Sequence, residues 1–441
     1  MAYGRFAVDY EQRAYNPERM RLERLERAQA MLKKYGLGAM ICYNYDNHRY
    51  LGYYSTHQYA RRRPGTYVLL IRDAGFPYVP EEPYPGGWEE ILMPWLKGKF
   101  KLKTSAPYKV LQGFPQMPDF PEKWWTKTAE EIKSFLKEHG VLDLPVGIDE
   151  AGNVRLIRAL EKAGVEVVDG NHVMTAARVI KTQDEVECLR FAGVIAEAAH
   201  WEVCRNVKPG MTEWQVAGIA AKACFDLGAE ELEGPSFVVC SGERSGHSVP
   251  NMPTDRVIRP GDLLVIDING VSFQGYRTCF YRTYCVGAKP TEFQKMLYKR
   301  AYDALMALTN SIKPGLTNYE IQKIWEEKGR GEWWPQPKWP EPGFYYYGSL
   351  AHPIGLCSGD PGPIIPGAMW EWTLGEEPEW KIEKNMCFAV EAACFYWDGK
   401  RWARDGVKLE HCGVVTDTGF EVFYRFPVEE LLTIALPGTY I

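Results

Sequence analysis

A short repeat in the second half of the chain constrains the fold most. KPGMTEWQV at residues 208–216 recurs as KPGLTNYEI at residues 313–321. Each copy has a Pro-Gly turn, a threonine suited to a helix N-cap, and glutamine or glutamate three residues later, which is the pattern of a capping box. Because capping boxes are common, the two copies alone fit either two unrelated helix starts or a duplicated unit.

The residues after each copy favour a duplicated unit. A histidine follows in both, His247 in SGHSVPN and His352 in SLAHPIG. An apolar strand then ends in a carboxylate, at Asp267 after LLVI and at Glu391 after MCFAV. A second strand returns in each copy, TCFYRTYCV and VKLEHCGVV. We therefore predict two helix-and-sheet halves related by a pseudo-twofold axis, with the polar strand residues converging between them.

The first half of the chain alternates helical and strand-like patterns. Asn16 and Pro17 suit an N-cap and a first helical residue, and Gly36 suits the end of that helix. Strand patterns follow at AMICYN, TYVLLI, VGIDE and VEVVDG, and Thr128 with Glu131 has the form of a capping box. This alternation predicts a mixed sheet covered by helices.

The length of the chain, 441 residues, is typical of two domains. Thr182 and Glu185 form another capping-box pattern, which opens a long helical segment. We place the entry to the second domain there. The predicted organisation is an α/β domain over residues 1–178 and a second domain over residues 179–441, so that the fold class is α/β with α+β character.

Charge and composition exclude several classes of partner. The formal net charge is -5 with the signs interspersed, which argues against nucleic acid and anionic membranes and favours a small-molecule ligand. The N-terminal segment has no apolar h-region, and no segment approaches the roughly 18 apolar residues of a membrane span. We expect a cytoplasmic protein. Eleven cysteines without a C-x-x-C pair indicate free thiols rather than disulfides.

Polar residues within the apolar strands are the candidate metal ligands. They come from four strand-like segments: Asp267, His352, Glu391 and Glu410. Carboxylate and imidazole groups bind divalent ions such as manganese, iron, cobalt and zinc. The alternative is separate ion-paired groups, although carboxylates in apolar runs are costly to bury unless they share a site. His247 also fits a solvated loop, and Cys279 fits a buried thiol.

The second half resembles the peptidase M24 or pita-bread family, which includes methionine aminopeptidase, aminopeptidase P, prolidase and creatinase. The likeness lies in PTDRVIRPGDLLVIDINGV with GYRTCFYRTY, AHPIGL, CFAVEAA and GVKLEHCGVVTDTG, and it covers about residues 180–430. It implies a creatinase-like N-terminal domain and a C-terminal pita-bread catalytic domain. LAHPIGLC, RDGVKLEHCGVVTDTG, RMRLERL and NHRY resemble most the dimethylsulfoniopropionate lyases of the DddP type.

The chain departs from that family at the metal ligands. The resemblance implies an Asp-x-Asp pair and a bridging aspartate, but here Asp267 is followed by Asn269, and Cys279 stands at the bridging position. We therefore expect either no metal or one divalent ion, zinc or iron, and no two-metal centre. The ligands of one ion are drawn from four residues: Cys279, His352, Glu391 and Glu410. A metal-free site that works with histidines, as in creatinase, would use His247, His352 and His411.

The predicted function is that of a lyase which breaks a C–O, C–C or C–S bond of a small aromatic or cationic molecule by proton transfer. The position of the family's proposed base is Ser358 here, and Asp360 lies two residues further on. The catalytic candidates are His247, Asp267, Asp360 and His411. The alternatives are a metal-independent C–N hydrolase, an Xaa-Pro aminopeptidase or prolidase, and a non-catalytic binding protein.

Two aromatic stretches flank the predicted site, WWPQPKWPEPGFYYY and MWEWTLGEEPEW. They suit either loop packing or an aromatic pocket for a planar or cationic substrate. Trp334, Tyr346 and Trp372, with His352, are the candidate substrate contacts. Arg61 lies in a basic cluster, QYARRRPGT, and the family resemblance implies a homodimer in which such a residue reaches the partner's site.

Overall fold

The computed structural model describes most of the chain: residues 15–52, 67–80, 101–104, 120–149, 153–230, 232, 237–246, 252–329, 337–346, 351–367 and 378–437. The chain divides into two compact units, one from Asn16 to Arg178 and one that holds the residues from Val179 on. Within the described ranges no helix is both long and apolar enough to cross a membrane.

The unit from Asn16 to Arg178 contains a four-stranded mixed sheet and helices. Its elements are α1 (Pro17–Lys34), β1 (Ala39–Cys42), α2 (Tyr45–Gly52), β2 (Val68–Ile71), β3 (Val79–Pro80), β4 (Lys101–Leu102), α3 (Phe120–Glu138), β5 (Val146–Ile148), α4 (Val154–Lys162), β6 (Val167–Asp169) and α5 (Asn171–Arg178). The sheet order is β2-β1-β5-β6, with β1 antiparallel to β2 and the other pairs parallel. The predicted mixed sheet is confirmed.

Helix starts in this unit were only partly predictable. Asn16 caps α1 as expected, and its side chain accepts a hydrogen bond from the Arg19 backbone at 3.0 Å. The capping box predicted at Thr128 is wrong, because α3 begins at Phe120 and Thr128 lies inside it. The Thr128 hydroxyl donates to the Trp124 carbonyl one turn earlier, at 3.1 Å. A threonine can satisfy its hydroxyl in this way within a helix, so its presence does not require a helix start.

The unit from Val179 on contains both copies of the repeat. Its elements are α6 (Gln183–Asn206), α7 (Glu213–Asp226), β7 (Val238–Ser241), β8 (Leu263–Asp267), β9 (Val271–Phe273), β10 (Tyr276–Thr278), β11 (Tyr281–Val286), α8 (Glu292–Ser311), α9 (Asn318–Ile324), β12 (Gly343–Tyr345), β13 (Ala351–Pro353), β14 (Cys387–Trp397), β15 (Val407–Val415), β16 (Phe420–Val422) and β17 (Thr433–Ile434). The unit also has a short 3₁₀ turn at Gly242–Arg244 and a π-helical turn at Trp325–Gly329.

The repeat produces equivalent structures. Thr212 caps α7 and Thr317 caps α9, each through the predicted reciprocal capping box. Each threonine also forms an isolated antiparallel bridge, Thr212 with Val257 and Thr317 with Lys381. One half contributes the sheet β17-β11-β8-β7, and the other contributes β12-β14-β15-β16 with β13 paired to β14. The two predicted helix-and-sheet halves are confirmed.

The two sheets meet where β11 lies against β15. Helix α8 packs on β14 and β15, and a core of buried apolar residues fills the space between them. Side chains alternate between the faces of a strand, so residues next to the core residues Val390 and Ala392 must face away from α8. That opposite face carries the candidate site.

Candidate active site

Strand alternation and register place the carboxylates of the second half. Glu391 of β14 lies directly opposite Glu410 of β15. Lys408 lies two residues before Glu410 on the same strand and therefore on the same face, whereas Leu409 and His411 lie on the other face. Glu410 is fully buried, and its Oε2 accepts a hydrogen bond from the Tyr281 backbone of β11 at 3.0 Å. This bond links the second sheet to the first.

A broken hairpin supplies the residues of the first half. Strands β8 and β11 pair up to Asp267 opposite Tyr281, and pairing resumes between β9 and β10. The intervening segments contain Asn269 and Cys279, and the Cys279 thiol donates to the Asn269 amide oxygen at 3.2 Å. The Asp267 side chain accepts from the Phe280 backbone at 3.1 Å. Cys279 lies two residues before Tyr281, so strand alternation places its side chain on the face that also carries Asp267.

Glu391 is held by two cationic or potentially cationic groups. Its Oε1 lies 3.2 Å from His352 Nε2, and its Oε2 lies 2.8 Å from Lys408 Nζ. Burial raises the pKa of Glu391, but the charge of Lys408 and the hydrogen bond with His352 outweigh burial and leave the pKa well below its usual value. Burial likewise opposes the charged form of His352, and Glu391 overcomes it and raises the histidine pKa. Glu391 is therefore the ionised carboxylate of the cluster.

The pKa values of the other two carboxylates, Asp267 and Glu410, are raised. Burial, aided by the negative charge of Glu391, raises the pKa of Asp267 to about 7 although Lys408 opposes the shift. Burial and the neighbouring carboxylates Glu391 and Asp267 raise the pKa of Glu410 well above its usual value. Burial also raises the pKa of the Cys279 thiol. Negative charge is crowded here, so the cluster is suited to accept a cation or protons.

Three of the predicted ligands fit one metal ion. Donor atoms of Cys279, His352 and Glu410 all lie within 4.8 Å of one another. Within the described part of the chain, Glu410 Oε1 is buried without a hydrogen-bond partner, as expected of an atom that awaits a ligand. His352 Nδ1 lies 3.0 Å from the Pro353 carbonyl, so a neutral ring that donates there presents the Nε2 lone pair to the cluster. Sulfur, nitrogen and oxygen donors with an open fourth position suit a catalytic zinc-type ion.

A second ion does not fit the residues present. The Glu391 oxygen that would serve it is bound by Lys408, and Asn269 offers only a neutral amide oxygen that is already engaged by Cys279. Of the four metal ligands predicted, Cys279, His352 and Glu410 therefore group around one position, and Glu391 is ion-paired beside them.

His411 is not part of this cluster. It follows Glu410 on β15, so its ring lies on the face packed against α8, where Nδ1 is 3.1 Å from the Thr309 hydroxyl. Burial, with a smaller contribution from the charge of Arg282, lowers its pKa to about 3. The prediction that His411 moves a proton in the site overlooked strand alternation.

Both oxygens of the Asp360 carboxylate bind other groups of the protein. Its Oδ2 forms a buried ion pair with Lys181 Nζ at 2.8 Å, and its Oδ1 accepts from the Leu356 backbone at 3.1 Å. Both ends of the carboxylate are therefore engaged in fixing the loop after His352. A carboxylate held in this way stabilises the loop, and the catalytic role of Asp360 stays a prediction.

In the described part of the first aromatic stretch, Tyr346 is buried and Trp339 is 41% exposed, and both contact other aromatic residues. Tyr346 is a core residue in edge-to-face contact with Trp325, and Trp339 stacks on Trp402 beside Trp397. These contacts are typical of loop packing, and a substrate role for Tyr346 stays a prediction. The remaining predicted residues lie outside the described residues: Arg61, His247, Trp334 and Trp372.

Sequence reasoning missed Lys408 and Tyr281. The Lys408 ammonium lies 3.8 Å from the centre of the Tyr281 ring and also binds Glu391. A signal for Lys408 was available, because a residue two positions before Glu410 in a strand shares its face. A comparable signal was available for Tyr281, which lies two residues after Cys279 in the returning strand and therefore on the same face.

The two halves of this unit are related, and a cluster of carboxylate, histidine and thiol side chains lies where their sheets meet. Residues 187–417 match metallopeptidase family M24. The Xaa-Pro dipeptidase of Pyrococcus horikoshii is 30% identical over 364 residues, which cover 80% of this chain and 85% of that protein. The chain belongs to metallopeptidase family M24, and it is an M24-fold enzyme.

Other relatives support the same placement. The probable dipeptidase PepE of Mycobacterium tuberculosis is 26% identical over 275 residues, 62% of this chain, and the match spans only 65% of the length of that protein. The dimethylsulfoniopropionate lyase DddP of Roseovarius nubinhibens is 25% identical over 311 residues, 69% of this chain and 65% of the lyase. The expected lyase is thus among the relatives, but the Pyrococcus dipeptidase is more similar.

A solved structure shows the shared fold. The Xaa-Pro dipeptidase from Bacillus anthracis aligns with a TM-score of 0.70 and 22% identity, over 93% of this chain and 99% of that one. The predicted pita-bread fold is therefore confirmed.

Proposed function

We propose that this enzyme hydrolyses an amide bond in a small dipeptide-like substrate and that its site holds one divalent ion. The observation that carries the proposal is the grouping of Cys279, His352 and Glu410 around a single position beside the Glu391–Lys408 ion pair. The names of the more similar relatives, Xaa-Pro dipeptidase and dipeptidase, favour this reaction over the predicted lyase. An ion at this position would supply Lewis-acid polarisation of the substrate carbonyl.

The protein groups divide the remaining work. With an ion bound, the Pro353 carbonyl would accept a hydrogen bond from His352 Nδ1 and leave Nε2 for the ion, while Lys408 stays paired with Glu391. Burial raises the pKa of Asp267 to about 7 in the metal-free cluster, and this carboxylate would accept a proton from an attacking water and return it to the leaving amine. In this proposal Asp267 transfers the proton and Glu391 orients the substrate.

A panel of dipeptides tests this function. The protein, purified without added metal and then supplied with zinc, iron or manganese, is incubated with Xaa-Pro dipeptides and with dipeptides that lack proline. We expect amine release with at least one of them, abolished in His352→Gln and retained in the exposed control Lys384→Met. Failure to cleave any dipeptide with every metal, by a protein that binds metal, would refute the proposal.

A second candidate is a lyase that works by proton transfer. It is supported by the relationship to DddP and by Asp267, which is suited to proton abstraction as well as to hydrolysis. The same assay includes dimethylsulfoniopropionate and aromatic substrates in separate arms. Elimination product without hydrolysis of dipeptides would favour the lyase.

We also propose that the enzyme is a cytoplasmic homodimer with a small-molecule substrate, as the family resemblance implies. Arg61 of one subunit would then contribute to the site of the other. Light scattering at micromolar concentration is expected to give twice the chain mass, 50.4 kDa for one chain. A monomer would contradict the proposal.

A further inference from the structure

Lys408 carries a largely buried ammonium placed among acidic groups. Its side chain is 13% exposed, its Nζ is 2.8 Å from Glu391 Oε2, and it lies 3.8 Å above the Tyr281 ring centre. Burying a lysine is unfavourable unless opposite charges and a polarisable surface surround it. Glu391, Glu410 and Asp267 all act on its charge. Lys408 therefore belongs electrostatically to the same cluster as the proposed metal position.

The ammonium and the proposed metal position use different atoms of the cluster. Cys279, His352 and Glu410 group around one point, whereas Lys408 binds the Glu391 oxygen that does not face His352. Two cations that share the same carboxylates repel strongly at these distances unless negative charge separates them. A second divalent ion at Glu391 would have to displace the lysine from its carboxylate.

We propose that the Lys408 ammonium takes the place of a second cation in this cluster, so that the site accepts one divalent ion and excludes another. The inference rests on the metal position of the proposed function but not on the substrate. It gives Lys408 the role of a positioning residue: an ammonium that occupies Glu391 Oε2 and thereby sets the number of ions bound. Because the charge is covalently attached, it is present at any metal concentration.

Metal stoichiometry tests the inference directly. Metal-free wild-type protein is titrated with Co²⁺, and bound ion is measured by elemental analysis after gel filtration and by the cobalt–thiolate absorption of Cys279. We expect one equivalent. Lys408→Met removes the charge and leaves Glu391 without its partner, so we expect one more equivalent than in the wild type. Lys408→Arg keeps the charge and should bind as the wild type does.

Two control variants show whether the change in stoichiometry depends on the charge at position 408. Lys384→Met removes an exposed lysine paired with Asp417, and it should leave the stoichiometry unchanged. Lys408→Gln also removes the charge and should likewise bind one more equivalent than the wild type. It replaces Lys408→Met in the experiment if methionine at this position impairs folding. Two equivalents in the wild type, or no additional ion in either neutral variant, would overturn the inference. If the wild type binds one equivalent and Lys408→Met binds one more, but no dipeptide is cleaved, the proposed function is wrong and the inference about Lys408 stands.

Discussion

Glu391 and Glu410 lie directly opposite each other on neighbouring strands, with both carboxylates on the face turned away from α8. Like charges at such a position destabilise a sheet unless something positive or a proton intervenes. Lys408 and His352 compensate Glu391, whereas the pKa of Glu410 is raised by burial and by the neighbouring carboxylates Glu391 and Asp267. The two carboxylates are therefore compensated in different ways. Glu391 is paired with Lys408 and His352, whereas Glu410 remains available to a metal ion.

The first prediction concerns the metal preference conferred by Cys279. Replacing the thiol in Cys279→Asp substitutes a hard oxygen donor for sulfur, so the ratio of affinities should shift from zinc towards manganese. Competition dialysis with both ions, quantified by elemental analysis, measures the ratio. Cys240→Ser changes a buried cysteine on β7 and should leave the ratio unaltered. An unchanged ratio in Cys279→Asp would show that the thiol is not a ligand.

The second prediction concerns the buried ion pair of Asp360. Asp360→Asn leaves the Lys181 charge buried without a counter-charge, which costs about 3–5 kcal/mol of unfolding free energy. Urea unfolding measures the loss, and Lys181→Met combined with Asp360→Leu should recover part of it. The kcat of the folded fraction should fall less than about tenfold, since loss of a general base costs about 10²–10⁴-fold. A larger fall in kcat with an intact fold would support a catalytic role for Asp360.

Much of the fold and part of the site were predictable because they depend on local patterns. The capping boxes at Thr212 and Thr317 and the carboxylates Asp267 and Glu391 are visible as sequence signals. The placement of His411 could also have been excluded, since it alternates with Glu410 in a strand. The pairing of Asp360 with Lys181 was not predictable, because these residues are distant in sequence and meet only through tertiary packing.

The third prediction contrasts the two histidines of the second half. His352→Gln removes the proposed imidazole ligand and should abolish binding of a stoichiometric ion, measured by elemental analysis. His411→Gln alters a ring that contacts Thr309 in the core and should keep the ion while it lowers stability by about 1–3 kcal/mol. Loss of metal from His411→Gln, with its stability unchanged, would contradict the assignment of the two faces.

The last prediction concerns acid stability. Burial lowers the pKa of His48 to about 4, although its hydrogen bond to the Cys42 carbonyl opposes the shift. An unfolded histidine has a pKa near 6.5, so between pH 4 and pH 6.5 the unfolded state binds more protons than the folded state. The contribution of neutral His48 to the free energy of unfolding is therefore fully present above pH 6.5 and is lost as the pH falls towards 4. His48→Gln should flatten this decline by up to about 3 kcal/mol, measured by urea unfolding at a series of pH values. The exposed His172→Gln is the matched control, and equal slopes for His48→Gln and wild type would disprove the buried neutral state of His48.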